Sequence, residues 1–152
     1  MFKSNNSNDV SSNIPELNLF NFNSSGNISN NNSNLNYQGL SFVLFWSKGC
    51  CQEEIKVFKQ LYSELNTINM NRQLPLNFFI YESSKGMNSA IFSGVFEHAP
   101  YRIYGFPTVV VYYNGEFCSV YKRDNLPEAN QLANELINYA NKITQKSFCK
   151  MI

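Results

Sequence analysis

Two adjacent cysteines, Cys50 and Cys51, are the residues of this chain with the clearest capacity for chemistry. They lie between an apolar run and a stretch with helical periodicity, so Cys50 is expected at the start of a helix. Free N–H groups at a helix N-terminus stabilise a thiolate and lower the pKa of a thiol below its usual value of about 8.5. Such a thiolate attacks exposed disulfides and leaves a mixed disulfide. Glu53 opposes this effect, because its carboxylate disfavours a second negative charge nearby.

The other cysteines offer less obvious partners for Cys50. A Cys50–Cys51 bond is the minority alternative, since adjacent Cα atoms lie about 3.8 Å apart and disulfides usually span about 4.4–6.8 Å. Such a bond is expected to be strained and easily reduced. Cys118 is predicted to be a small core residue, and Cys149 to lie on a C-terminal tail within reach of a partner chain. Because the N-terminus lacks the apolar stretch of a signal peptide, all four cysteines are predicted to be reduced.

Other kinds of site have little support in the sequence. His98 has no companion at metal-ligand spacing, and no zinc motif, phosphate-binding loop or hydrolase triad is present, so neither a metal nor a resident cofactor is expected. The net charge of +1 gives no field that favours nucleic acid or an acidic membrane. No run approaches the ~20 apolar residues of a membrane span. An intracellular, soluble protein is predicted.

The composition divides the 152 residues into three parts. Residues 1–36 are rich in Asn and Ser and are predicted to form a largely flexible arm, with a candidate strand at residues 15–22. Residues 37–145 are predicted to form the folded domain, and residues 146–152 a tail.

Periodicity predicts the elements of that domain. An aromatic and β-branched run at residues 40–46 indicates a strand buried on both faces, and a second run at residues 76–81 indicates a parallel neighbour. Asn114-Gly115 indicates a hairpin. Helices are expected after Cys50, at residues 87–96, and from Pro127 onward. The order β-α-β-α-β-β-α predicts a three-layer α/β sandwich with a mixed central sheet flanked by helices.

Two stretches resemble the thioredoxin-like superfamily, which includes the domains of protein disulfide isomerases. Residues 43–53, Val-Leu-Phe-Trp-Ser-Lys-Gly-Cys-Cys-Gln-Glu, are similar to the family's V-x-F-W-A-x-W-C-G-P-C. Residues 101–108, Tyr-Arg-Ile-Tyr-Gly-Phe-Pro-Thr, are similar to its Y-x-[IV]-x-[GS]-[FIVY]-P-T. The resemblance implies a thioredoxin-like fold, a cis Phe106–Pro107 bond, and a peptide-binding groove. The residues that it assigns to this groove are Trp46, Phe106, Pro107 and Thr108.

The chain departs from the family's motif at the positions of the redox-active cysteines. Cys50 falls on the attacking cysteine, but Cys51 and Gln52 replace Gly-Pro, and Glu53 replaces the resolving cysteine. Leu44 stands where many thioredoxins have a buried Asp that assists proton transfer.

Two functions remain open after this comparison. One is limited monothiol exchange at Cys50, with glutathione or a thiol- or disulfide-containing client protein as partner. The other is a non-catalytic binding or structural module that uses the same groove. The oligomeric state is left open.

Overall fold

The structure is a computed structural model, and it describes residues 13–29, 35–83, 98–103, 105–123 and 126–151. The helix predicted at residues 87–96 lies outside the described residues.

Among the described residues, four strands form a mixed sheet: β1 (Leu40–Trp46), β2 (Leu76–Glu82), β3 (Thr108–Tyr113) and β4 (Glu116–Arg123), in the order β2-β1-β3-β4. The central strand β1 pairs in parallel with β2 and antiparallel with β3. Burial of the first six residues of β1 follows from its mostly apolar sequence, which suits a strand covered on both faces. The predicted mixed sheet is confirmed.

The hairpin between β3 and β4 (Glu116–Arg123) turns at Asn114 and Gly115. Both residues have left-handed backbones, with φ of 49° and 89°. A two-residue hairpin turn requires these conformations, and Asn and Gly tolerate them best, so the sequence signal and the structure agree.

Helices α1 (Gln52–Ser63) and α3 (Ala129–Asn141) cover one face of the sheet, and the short helix α2 (Leu65–Ile68) follows α1. The buried positions on α1 and α3 recur every three or four residues, as amphipathic helices require. These buried residues are Ile55, Phe58 and Leu61 on α1, and Leu132, Leu136 and Ala140 on α3.

Most of the N-terminal segment, residues 13–29, packs on the opposite face of the sheet, whereas Ile14 joins the cluster beneath the helices. Phe22 is 7% exposed, and its ring centroid lies 5.8–6.2 Å from those of Phe45, Tyr81 and Tyr112. The Ile28 N–H donates to the Gly115 carbonyl over 2.7 Å. Residues 13–29, part of the stretch expected to be a largely flexible arm with a candidate strand at residues 15–22, are thus packed on the domain in this structure, because their few apolar side chains are buried against it.

The strand expected at residues 15–22 is reduced to two isolated bridges, one between Glu16 and Ile80 of β2 and one between Phe22 and Ile28. The Leu17 N–H donates to the Ile80 carbonyl, and the Ile80 N–H donates to the Pro15 carbonyl. The chain then leaves the strand direction in a 3-10 turn, Leu19–Asn21, where the Asn18 side chain accepts the Phe20 N–H. An Asn in that position competes with strand pairing, which explains the early end.

The C-terminal segment ends in a 3-10 helix, Lys146–Met151, that packs against β4. Cys149 of this helix is bonded to Cys118 of β4, and each cysteine is 5% exposed. A Lys146–Glu116 ion pair joins the same two elements. The predicted tail, reduced Cys118 and partner-reaching Cys149 are thus corrected, because docking of this helix brings the two sulfurs together. The folded unit begins before residue 37 and continues beyond residue 145.

Candidate active site

The candidate site lies in the loop between β1 and α1, at one end of the sheet. Trp46 ends β1, the Cys50 N–H donates to the Ser47 carbonyl over 3.0 Å, and α1 begins at Gln52. Phe45 pairs with Thr108 across β1 and β3, so Pro107 lies level with Trp46. The structure therefore brings the cysteine loop and the Pro107 segment to the same end of the sheet.

The sulfur atoms of Cys50 and Cys51 are bonded to each other. Both residues are partly exposed. The expectation of reduced thiols at this position is wrong for this structure, and the minority alternative is the one adopted. The backbone of Cys51, which is one partner in this bond, is left-handed, with a φ of 74°.

Cys51 is also the N-cap of α1. Its carbonyl accepts the Ile55 N–H over 2.9 Å, while its side chain makes no capping hydrogen bond. The first-turn residues Glu53 and Glu54 place carboxylates near the positive end of the helix dipole, which favours the helix.

Gln52 and Glu53, at which the sequence departs from the motif that it resembles, are both exposed. The Glu53 Oε2 lies 3.5 Å from the Lys56 Nζ, one turn along the helix, and two-thirds of its side chain is open to solvent. An exposed pair of this kind contributes little stability. The position at which the resemblance implies a resolving thiol therefore carries a solvent-facing carboxylate.

Two buried polar atoms lie beside the cysteine loop. The Ser83 N–H donates to the Trp46 carbonyl over 2.8 Å, which holds the ends of β1 and β2 together. Within the described residues, the Trp46 Nε1–H and the Ser83 hydroxyl are buried and have no hydrogen-bond partner. Sequence reasoning selected Trp46 but missed Ser83, whose signal is only that a polar run begins as β2 ends.

The surroundings of Leu44 are apolar. Leu44 is fully buried in the cluster that includes Ile55 and Phe58. The side chain at this position therefore offers no group that could take part in proton transfer.

The Phe106–Pro107 peptide bond is cis. Phe106 and Pro107 are partly exposed, whereas Thr108 is buried and its Oγ1 donates to the Gly105 carbonyl over 2.6 Å. This hydrogen bond fixes the start of β3 directly after Phe106 and Pro107, which the resemblance assigns to the groove.

In the described part of the chain, no group of three or more His, Cys, Asp or Glu side chains is arranged to hold a metal ion. Across the same residues, every helix is too short or too polar to cross a membrane.

Comparisons with known proteins find similarity at the level of structure. No family model and no curated protein sequence matches the chain. One structure of human ERp44 matches with a TM-score of 0.51 and 18% identity, covering 84% of this chain and 29% of that one. The zinc-bound form of human ERp44 matches with a TM-score of 0.51 and 16% identity, covering 86% and 30%. A thioredoxin of Malassezia sympodialis matches at 0.41 and 14%, covering 71% and 77%. This chain thus spans less than a third of the ERp44 chains.

Proposed function

The chain has a thioredoxin-like fold, and on this premise we propose that it carries out thiol–disulfide exchange at Cys50. The observation that carries the proposal is the Cys50–Cys51 disulfide in a partly exposed loop at the start of α1. A disulfide at that place is the oxidised form of an exchanging site.

The start of α1 supports reactivity once Cys50 is reduced. Backbone N–H groups of the first turn have no partner within the helix and lie close to the cysteine loop. They favour a thiolate over a thiol, and the thiolate is the attacking species. The partners that we propose are glutathione and proteins that carry accessible thiols or disulfides, inside the cell.

Two replaced residues limit this activity. Glu53 cannot displace a client from a mixed disulfide, because a carboxylate does not form the new sulfur–sulfur bond. Leu44 offers no proton acceptor. We therefore expect slow turnover that depends on glutathione as the reductant of the oxidised site.

The same two residues favour a second candidate, a non-catalytic binding module. Solvent-facing Glu53 and buried Leu44 remove two parts of the family's redox machinery while the fold is retained. In that case the groove near Trp46 and Pro107 binds a peptide without exchange.

Insulin reduction in the presence of glutathione separates the candidates. We expect low activity in the native chain, none in Cys50→Ser, and a several-fold gain in Glu53→Cys, which restores a second thiol one helical turn from Cys50. Glu53→Ala is the matched control, since it removes the charge without adding a thiol, and it should gain much less than Glu53→Cys.

Two results would count against exchange at Cys50. Equal activity in the native chain and in folded Cys50→Ser would assign the activity to another group. Inactivity of both the native chain and a folded Glu53→Cys variant would replace the exchange function with the binding module.

A further inference from the structure

We propose that Cys51 is the resolving thiol of the site, and that its backbone changes conformation with the oxidation state. This inference rests on the exchange function proposed above. It assigns to Cys51 the role that the family gives to a cysteine at the position of Glu53.

The first support for this role of Cys51 is the pairing of the four cysteines. Cys50 is bonded to Cys51, whereas Cys118 and Cys149 are bonded to each other and are each 5% exposed. The second pair is therefore closed to a client and to Cys50. Only Cys51 has a sulfur next to the attacking one.

The second support is the backbone of Cys51. Among the described residues other than glycine, only Cys51 and Asn114 have positive φ. The hairpin turn accounts for Asn114. Nothing comparable accounts for Cys51, since an N-cap residue usually has an extended backbone and a side chain that accepts a helix N–H.

A left-handed backbone is unfavourable for a residue that has a Cβ, and such outliers persist only where their surroundings impose them. At Cys51 the bond to Cys50 is the constraint that we identify. Breaking that bond frees Cys51 to adopt an ordinary N-cap conformation. The oxidation state is then transmitted to the first turn of α1 through the Ile55 N–H bond to the Cys51 carbonyl.

The loop also gives access to a client. Gly49 precedes Cys50, and among the described residues a Cβ built at Gly49 would meet no atom within 4 Å other than those of its two chain neighbours. Within the described part of the chain, the space beside Gly49 is therefore open.

The reaction balances with these two sulfurs alone. The reduced Cys50 thiolate attacks one sulfur of a client disulfide, and the other client sulfur leaves as a thiolate and takes up a proton. Cys51 then loses its proton and attacks the Cys50 Sγ, and the first client sulfur leaves and is protonated. Two electrons and two protons pass to the client, and the Cys50–Cys51 disulfide forms. Two molecules of glutathione restore the dithiol and become glutathione disulfide.

The test uses the full chain, reduced at the site and then mixed with glutathione disulfide. In the native chain the glutathione adduct on Cys50 should be short-lived, because Cys51 displaces it. In Cys51→Ser and Cys51→Ala the adduct should last at least about tenfold longer, since an intramolecular thiolate is missing. Intact-mass spectrometry after acid quenching measures the adduct over time.

Each outcome decides one of the two claims. An adduct that lasts as long on the native chain as on the Cys51 variants overturns the role of Cys51 and leaves monothiol exchange standing. Absence of an adduct from all these proteins overturns the exchange function itself. The folded Cys118→Ala/Cys149→Ala variant should behave as the native chain does, and a long-lived adduct on it would assign resolution to that pair instead.

Nuclear magnetic resonance tests the backbone change. On reduction, the backbone chemical shifts of Cys51 should move from left-handed to ordinary N-cap values, and the Gln52 and Ile55 amide signals should shift with them. Asn114 is the internal control, because its turn should keep left-handed values in both states. A reduced chain with Cys51 still left-handed overturns the coupling.

Discussion

Ser83 shows how a single side chain at the site departs from ordinary packing. Its hydroxyl is buried beside the end of β1 and has no hydrogen-bond partner within the described residues. A buried polar group without a partner has lost its hydration and gained nothing in return, which costs roughly 1–3 kcal/mol. Groups of this kind are uncommon in folded proteins and call for a specific explanation.

We expect Ser83→Ala to leave the free energy of unfolding unchanged or to raise it by up to about 1 kcal/mol, because it removes a polar group that has no partner. Ser119→Ala is the matched control. Ser119 is equally buried, and its Oγ lies 2.7 Å from the Tyr139 hydroxyl, so its loss should cost about 1 kcal/mol. Urea denaturation of both variants makes the comparison. Destabilisation by Ser83→Ala as large as that by Ser119→Ala would show that the Ser83 hydroxyl is satisfied in solution.

At the scale of elements, the N-terminal segment contributes buried side chains to the core. Leu17, Phe22 and Ile28 belong to the cluster on the sheet face opposite α1 and α3. Gly26 permits the tight approach of this segment, since a Cβ there would lie 2.5 Å from the Ala99 Cβ. The segment is thus part of the core although its composition is polar.

Phe22→Ala should lower the free energy of unfolding by about 3–5 kcal/mol, since it leaves a cavity among three aromatic rings. Phe20→Ala should change it by less than about 0.5 kcal/mol, because Phe20 is 86% exposed. Equilibrium unfolding of the two variants measures the difference. Equal values would mean that the segment is detached from the sheet in solution.

These elements also show what the sequence can predict. The strands β1 and β2, the hairpin and the helices α1 and α3 have strong periodicity or turn signals, and their positions were predictable. The position of the N-terminal segment was not predictable, because its four buried apolar side chains are dispersed among Asn and Ser. The Cys118–Cys149 bond joins residues 31 positions apart, and no local pattern indicates such a pair.

The site was predictable in part for a similar reason. The motif around Trp46 located Cys50, and the motif around Pro107 located the opposite segment. The short distance between the Cα atoms of adjacent residues argued against a Cys50–Cys51 bond. That argument assumes typical geometry, whereas the chain adopts a left-handed backbone at Cys51.

At the scale of the whole molecule, buried tyrosines tie the N-terminal segment to the sheet. The Tyr101 hydroxyl donates to the Gly26 carbonyl over 2.8 Å and lies 2.7 Å from the Tyr112 hydroxyl. Burial raises the pKa of Tyr101 and of Tyr112 above the usual value for tyrosine. Burial also raises the pKa of Tyr81 to about 12. The folded chain therefore holds these phenols neutral where the unfolded chain ionises them.

Stability should accordingly fall at alkaline pH. A tyrosine whose pKa is raised in the folded state contributes stability that is complete below pH of about 10 and is lost as the pH rises towards 12. Across that window the free energy of unfolding should fall less steeply in Tyr81→Phe than in the native chain. Urea denaturation at pH 9 to 11.5, with tyrosine absorbance as a check on ionisation, measures both slopes, and identical slopes would contradict the expectation.

The two outer strands of the sheet each have a terminal segment of the chain attached. The N-terminal segment hydrogen-bonds to Ile80 of β2, and the 3-10 helix Lys146–Met151 is bonded to β4 through Cys149. Exposed edge strands pair with other chains, and natural proteins cover or shorten them for that reason. Residues 15–17 thus cover part of the free edge of β2, so a truncation that removes them and spares the cysteine loop should increase self-association of the chain.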